Sequence, residues 1–333
     1  MPEQEMNDKA VGWRFCVAPM IDWTDRWCRH FHRLLSRRAR LYTEMIAAPA
    51  LLYGDRVRLL GYEPEARPAA LQLGGSDPAL LARCAKWGEE AGYDEINLNC
   101  GCPSERVQSG AFGAVLMLKP ALVADCVRAM QDAVSVPVTV KHRIGVDDNT
   151  SYEFVRDFVG QVSEAGVRVF IVHARAAWLK GLSPKENRTI PPLDRGVAAR
   201  LKADFPDCAF ILNGGIASIE ECEEECRRFD GVMVGREAYN NPWMLTRVDS
   251  ALYGEPERPL RRGEVIARMA DYVGRVQEAE PLAARTAANH LMGIAQGLPG
   301  ARAWRRALTD PASWKKYRAR ELILRAWENV REG

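Results

Sequence analysis

Eight short apolar runs, almost every one with a polar or glycine residue at or near its end, set the terms on which this chain can fold. They are "FCVAPM" (15–20), "LYTEM" (41–45), "AALQLGG" (69–75), "EINLNC" (95–100), "VPVTVKHR" (136–143), "VRVFIVHAR" (167–175), "CAFILNGG" (208–215) and "GVMVGRE" (231–237). Short apolar runs of this kind suit strands of a parallel sheet covered on both faces. Helix-like segments lie between most of them. In "SDPALLARCAKWGEEAG" Ser76 or Asp77 can cap, Pro78 suits the first turn and Gly92 the stop. In "SIEECEEECRRF" Ser218 and Glu221 have capping-box spacing. Eight strands alternating with helices predict an α/β chain, a closed (β/α)8 TIM barrel over 11–250. An open doubly wound sheet is the structural alternative.

Past "NNPWML" the pattern changes. "YGEPERPLRRGE" reads as a linker, and the remainder has apolar residues at helical spacing without strand-like runs. The expectation is a small all-helical domain over 255–333. From Glu255 onward there are 15 Lys+Arg against 10 Asp+Glu, while the whole chain carries a net charge of only +2. A basic tail on a slightly acidic body permits a nucleic-acid partner without requiring one. At 333 residues with 47% hydrophobic and 27% charged residues, the composition supports a sizeable core. No apolar run approaches the roughly 20 residues that span a bilayer, and the start "MPEQEMNDKAVGWR" lacks a signal-peptide pattern, so a cytoplasmic protein is expected. Nine cysteines without framework spacing read as free thiols, with no structural disulfides expected.

In such a barrel the working face is the C-terminal end of the strands. The run ends supply Pro19, Met20, Glu44, Gln72, Asn97, Asn99, Cys102, Lys141, Arg143, His173, Arg175, Asn213, Gly214, Gly215, Gly235 and Arg236. Any one of these suits an anchored loop; together they argue for a site. "LNGGI" and "MVGREA" are Gly-rich turns after the seventh and eighth runs, where barrels hold phosphate with backbone N–H groups, and Arg236 adds a charged donor. No G-x-G-x-x-G follows a strand, which argues against a Rossmann dinucleotide site and favours FMN. Lys141 and His173 are placed to supply positive charge to a reduced flavin, and Gln72 to bond its polar edge.

Cys102, in "NLNCGCPSERVQSGAFGAVLM", follows a strand end. A metal site is disfavoured because no second Cys/His pair stands at finger or ribbon spacing. A nucleophile finds no evident base in the loop. A thiol that stays protonated near neutral pH can instead deliver a proton to a carbon next to a carbonyl. Cys16 and Cys100 read as buried structural thiols.

These segments, with "APMIDWTDRWCR", "LQLGGSDP", "VKHRIGVDD", "VHARAAWLKGLSPKENRTIPPL" and "VGREAYNNPWML", resemble the tRNA-dihydrouridine synthases, best the subfamily acting at positions 20 and 20a of the D-loop. The resemblance covers the chain from about residue 14 into the C-terminal end. It implies FMN held by Pro19, Met20, Gln72, Lys141, His173, Asn213 to Gly215, Gly235 and Arg236, with NADPH as the transient reductant. Hydride would go to C6 of uridine and a proton from Cys102 to C5. Asn99, Arg143 and Arg175 become candidates for the uracil and its surroundings, Lys185 and Arg188 for a loop on RNA, and Arg302 and Arg305 for RNA contact from the tail. The partner is tRNA, with no DNA or membrane partner, met by a monomer whose target base must be extruded to reach a barrel mouth. Two other functions compete: an FMN barrel acting on a small molecule, and a non-catalytic RNA-binding flavoprotein.

Overall fold

The computed structural model describes residues 11–332. Each of the eight apolar runs contributes a strand: β1 (Phe15–Val17), β2 (Arg40–Ala47), β3 (Ala69–Gly74), β4 (Glu95–Cys100), β5 (Val138–Arg143), β6 (Val169–His173), β7 (Ala209–Asn213) and β8 (Gly231–Val234). All neighbours pair in parallel, and β1 closes on β8, so the sheet has no edges. The barrel is the TIM type, with helices between strands.

Local chemistry sets the helix ends. Asp77 caps Pro78–Glu90 by accepting from Leu80 N at 3.0 Å. Ser218 caps Ile219–Glu225 by accepting from Glu221 N at 3.1 Å, while the Glu221 carboxylate reaches back to accept from Ala217 N at 2.9 Å, one residue beyond the partner of a strict capping box.

Strand periodicity divides β4 between two environments. Ile96, Leu98 and Cys100 join the large cluster between sheet and helices, whereas Glu95, Asn97 and Asn99 occupy the alternate positions that face the barrel interior. Around them the interior is filled by Trp13, Cys16, Tyr42, Ala70, Ile171, Ile211 and Met233. In β2 the register slips between Tyr42 and Met45, a bulge that leaves the Thr43 hydroxyl accepting from Gln72 N at 3.0 Å.

After an extended stretch, helices Arg262–Ala279, Ala284–Asn289, Ala301–Thr309, Pro311–Lys316 and Ala319–Trp327 complete the described chain. One cluster of buried apolar residues runs from the barrel's helices into this portion, from Phe31 and Leu35 to Val265, Leu291, Trp304 and Ile323. Polar contacts stitch the seam. His290 donates from Nε2 to Asp25 at 2.9 Å and accepts at Nδ1 from Tyr239 at 3.0 Å, and His30 stacks on Tyr272 with centroids 3.8 Å apart. Gly293 permits the closest approach: a Cβ there would lie 2.7 Å from the carbonyl oxygens of Tyr239 and Asn240 and from Pro242 Cδ. Gly293→Ala is therefore expected to cost about 1–3 kcal/mol by overpacking against main chain. A lower midpoint in urea denaturation checks it, and an unchanged midpoint would mean that the seam yields freely. Among the described residues no helix is long and apolar enough to cross a membrane.

Candidate active site

The C-terminal ends of the strands open into one cavity of about 660 Å³. It brings together every residue expected to hold the flavin (Pro19, Met20, Gln72, Lys141, His173, Asn213, Gly214, Gly215, Gly235 and Arg236), and Cys102, Asn99, Arg143 and Arg188 line it as well.

Cys102 is the one cysteine not fully buried; the other eight, Cys16 and Cys100 among them, are buried and free. Its sulfur lies 3.6 Å from Ser104 Oγ. Its loop is fixed from beneath by Asn99, whose Oδ1 accepts from the backbone N–H of Gly101 at 3.1 Å and of Cys102 at 3.0 Å. Asn99 Nδ2 donates to Gln72 Oε1 at 2.8 Å, so both ends of the amide are engaged. A group expected at the substrate's edge thus also seats the cysteine.

On the neighbouring strand, in register with Asn99, stands Lys141. Burial pulls Lys141 down to about 7, helped by the Arg143 charge, and its Nζ donates to Asn213 Oδ1 at 3.1 Å. Asn213 Nδ2 in turn donates to Met233 O at 2.8 Å. His173 is pushed away from its charged form: the site's low-polarity surroundings, then the charges of Arg143 and Lys141, hold it well below the ordinary histidine range, which favours the neutral imidazole in the free protein.

Gly214 and Gly215 adopt φ of +119° and +74°, which L side chains rarely adopt. A Cβ on Gly214 would also press on His173 Cδ2 at 3.0 Å. With Arg236 beside them these turns form a cradle of bare backbone and one guanidinium. A phosphate-bearing planar ring system fits this donor set: an anion cradle at β7 and β8, the Lys141 ammonium in the middle and the Gln72 amide beyond.

The arginines expected on RNA divide into two kinds. Arg143 is 3% exposed, and its guanidinium donates to Gly101 O at 3.1 Å, Ala176 O at 3.0 Å and Asn187 O at 2.8 Å. Arg175 does not line the cavity and donates to the carbonyls of Thr189 and Pro191. Both therefore brace the loop 176–191. Gln108 adds a second tie, donating to Pro103 O and Leu179 O at 2.8 Å each. Arg188 faces the cavity and Lys185 is exposed on the same loop. Arg302 and Arg305 lie outside the cavity, exposed with Arg306 on a helix whose Trp304 is buried.

Sequence reasoning missed the aromatic wall at the mouth. Trp23 lines the cavity and stacks on Tyr239 with centroids 4.3 Å apart, and Tyr239 is the residue tied to His290. The only signal was an aromatic residue in the loop after the first strand, where any function could hide.

Residues 16–327 match the sequence profile described as "Dihydrouridine synthase (Dus)". The chain belongs to the dihydrouridine synthase family. It is an enzyme of that family, and curated relatives of nearly equal length share its sequence. The tRNA-dihydrouridine(20/20a) synthase of Pseudomonas aeruginosa is 58% identical over 308 residues, covering 92% of each chain. Those of Salmonella typhimurium and Escherichia coli K12 are 53% and 54% identical over 314 residues, covering 94% of this chain and 94% and 90% of theirs. The structure of a 2-naphthoyl-CoA reductase in complex with 2-naphthoyl-CoA superposes with a TM-score of 0.55 at 10% identity, covering 71% of this chain and 49% of that one. At that identity the likeness speaks for the barrel alone.

Proposed function

We propose that this dihydrouridine synthase binds FMN and reduces uridines at positions 20 and 20a of the tRNA D-loop to 5,6-dihydrouridine, with NADPH as reductant, in the cytoplasm and as a monomer. The observation that carries this reading is one cavity that gathers a partly exposed cysteine, a glycine-backed anion cradle and a half-buried lysine.

FMN, reduced by NADPH, supplies the hydride that becomes the new C6–H bond. The chain's residues do the rest. Gly214, Gly215 and Arg236 hold the phosphate, with Pro19, Met20 and Gly235 shaping the floor; Lys141, Asn213, Gln72 and neutral His173 orient the ring. The Cys102 thiol gives its proton to C5 as the C5=C6 π pair is consumed, and the thiolate left behind is reprotonated from water. Lys141 is placed to stabilise negative charge during that transfer. Arg188 and Lys185 on the loop 176–191, and Arg302 and Arg305 on the helical portion at 255–333, take RNA phosphate, while Asn99, Arg143 and Arg175 act by holding the loops that frame the base. Extruding that base costs a few kcal/mol, offset by stacking and backbone contacts.

The test is anaerobic: bleach the bound flavin with NADPH, add unmodified tRNA, and follow the visible spectrum. Return of the oxidised flavin with tRNA but not with free uridine is expected. Reoxidation by small enones instead of tRNA would favour a small-molecule reductase, and a protein that holds no flavin would remove the reading at its root.

A further inference from the structure

A line of buried polar side chains runs from the base of the barrel to the cysteine loop. The strand register sets Gln72, Asn97 and Thr139 side by side on β3, β4 and β5. Starting at the mouth, the backbone N–H groups of Gly101 and Cys102 donate to Asn99 Oδ1, which fixes that amide's orientation. Asn99 Nδ2 must then donate to Gln72 Oε1 at 2.8 Å. Gln72 Nε2 donates to Asn97 Oδ1 at 2.7 Å, and Asn97 Nδ2 to Thr139 Oγ1 at 2.7 Å. The Thr139 hydroxyl is left to donate onward to Glu95 Oε1. Each link admits one orientation, because reversing any amide would set donor against donor or acceptor against acceptor.

Glu95 is fully buried at the foot of this line. Its two oxygens also receive Tyr42 OH at 2.6 Å and Trp13 Nε1 at 2.7 Å, with the Arg40 guanidinium 3.2 Å away. Donors on every side demand an acceptor-only group, which an ionised carboxylate is. The polarity dictated by the cysteine loop and the polarity dictated by the carboxylate therefore agree along the whole line. Such an expense of buried polar groups in a barrel interior would be cheaper as aliphatic packing if stability were its only purpose.

Resting on the reductase reading above, we propose that Glu95 and Thr139 are positioning residues. They fix the hydrogen-bond polarity of Gln72 and Asn99, and through Asn99 the seat of the Cys102 loop. A corollary concerns specificity. The second N–H of Gln72 Nε2 has no partner among the described residues and Gln72 lines the cavity, so this position presents a donor, suited to an acceptor on the bound ring.

The test compares Thr139→Val, which keeps the shape and deletes the link, with Thr139→Ser, which keeps the hydroxyl. The first readout is the rate at which iodoacetamide alkylates Cys102 in the native protein without tRNA, followed by mass spectrometry; the other cysteines are buried. The second is the split between kcat and KM on tRNA. Thr139→Val is expected to speed alkylation roughly threefold to tenfold as the loop loosens. It should lower kcat on the order of tenfold to a hundredfold at unchanged KM, with Thr139→Ser restoring both. Wild-type alkylation and kcat in Thr139→Val would reduce the line to packing and overturn the proposal. Should Thr139→Val fail to fold, Thr139→Ala, which deletes the same link with a smaller side chain and adds no donor, carries the same comparison. Failure of the reductase reading would look different: wild-type protein would leave tRNA unreduced, while the alkylation comparison could still be made.

Discussion

Cys102→Ala should retain bound FMN and NADPH oxidation by dissolved oxygen while losing tRNA reduction by about two to four orders of magnitude, the range for a positioned general acid. The two halves separate for a structural reason. The cradle proposed for the flavin phosphate, at β7 and β8, and Lys141 on β5 belong to strands other than the one that leads into Cys102, and the cysteine loop is held by Asn99 and Gln108 through backbone atoms that alanine keeps. The thiol itself contacts only Ser104 Oγ, at 3.6 Å, among the described hydrogen-bonding groups, so its removal orphans no strong partner. Single-turnover oxidation of prereduced enzyme by tRNA is the direct measurement. Full-rate turnover in Cys102→Ala would mean that C5 takes its proton from elsewhere.

Lys141→Met should weaken FMN binding by roughly tenfold to a hundredfold, the value of one charge-assisted hydrogen bond, and should flatten its pH dependence. Burial first, then Arg143, lowers the amine from 10.5 to about 7 in the free protein. The sign follows from proton counting. Between pH about 7 and 10.5 the unfolded chain binds a proton at this site that the folded chain does not, so this group makes the flavin-free protein more stable as pH rises through that window. An anionic ligand favours the charged ammonium, so binding takes up a proton and affinity falls as pH climbs above about 7. Fluorescence titrations of FMN from pH 6 to 10 would reveal the slope in wild type and its absence in the variant. An equal slope in both would assign the proton uptake to another group.

The strands were legible because their signal is local. Every apolar run became a strand, and the run ends delivered the residues expected to hold a flavin to one cavity, since closure of a parallel barrel gathers all C-terminal strand ends on one face. Arg143 and Arg175 were harder. An arginine at a strand end looks the same in sequence whether its fork meets an RNA phosphate or the carbonyls of a loop, and those carbonyls come from Gly101, Ala176 and Asn187 for Arg143 and from Thr189 and Pro191 for Arg175, distant in the chain. His173 shows the same limit in another form. Its type was legible, but its charge was not, because burial and two cationic neighbours exist only after folding. The alternation of Glu95, Asn97 and Asn99 was present in "EINLNC" all along; its meaning required Gln72 and Thr139 to be placed on either side.

The seam between barrel and tail helices bears on how this enzyme can be taken apart. Asp25 caps, and His30 lies on, the helix Arg26–Leu35 after β1, and the partners that cover them, His290 and Tyr272, arrive only towards the far end of the chain. Tyr239 closes the arrangement by backing the tryptophan at the cavity mouth. A ribosome that has released the barrel but not the tail has therefore made an unfinished mouth, with apolar helix faces still bare. Swapping the tail helices between relatives would have to carry Asp25, His30, Trp23 and Tyr239 with them.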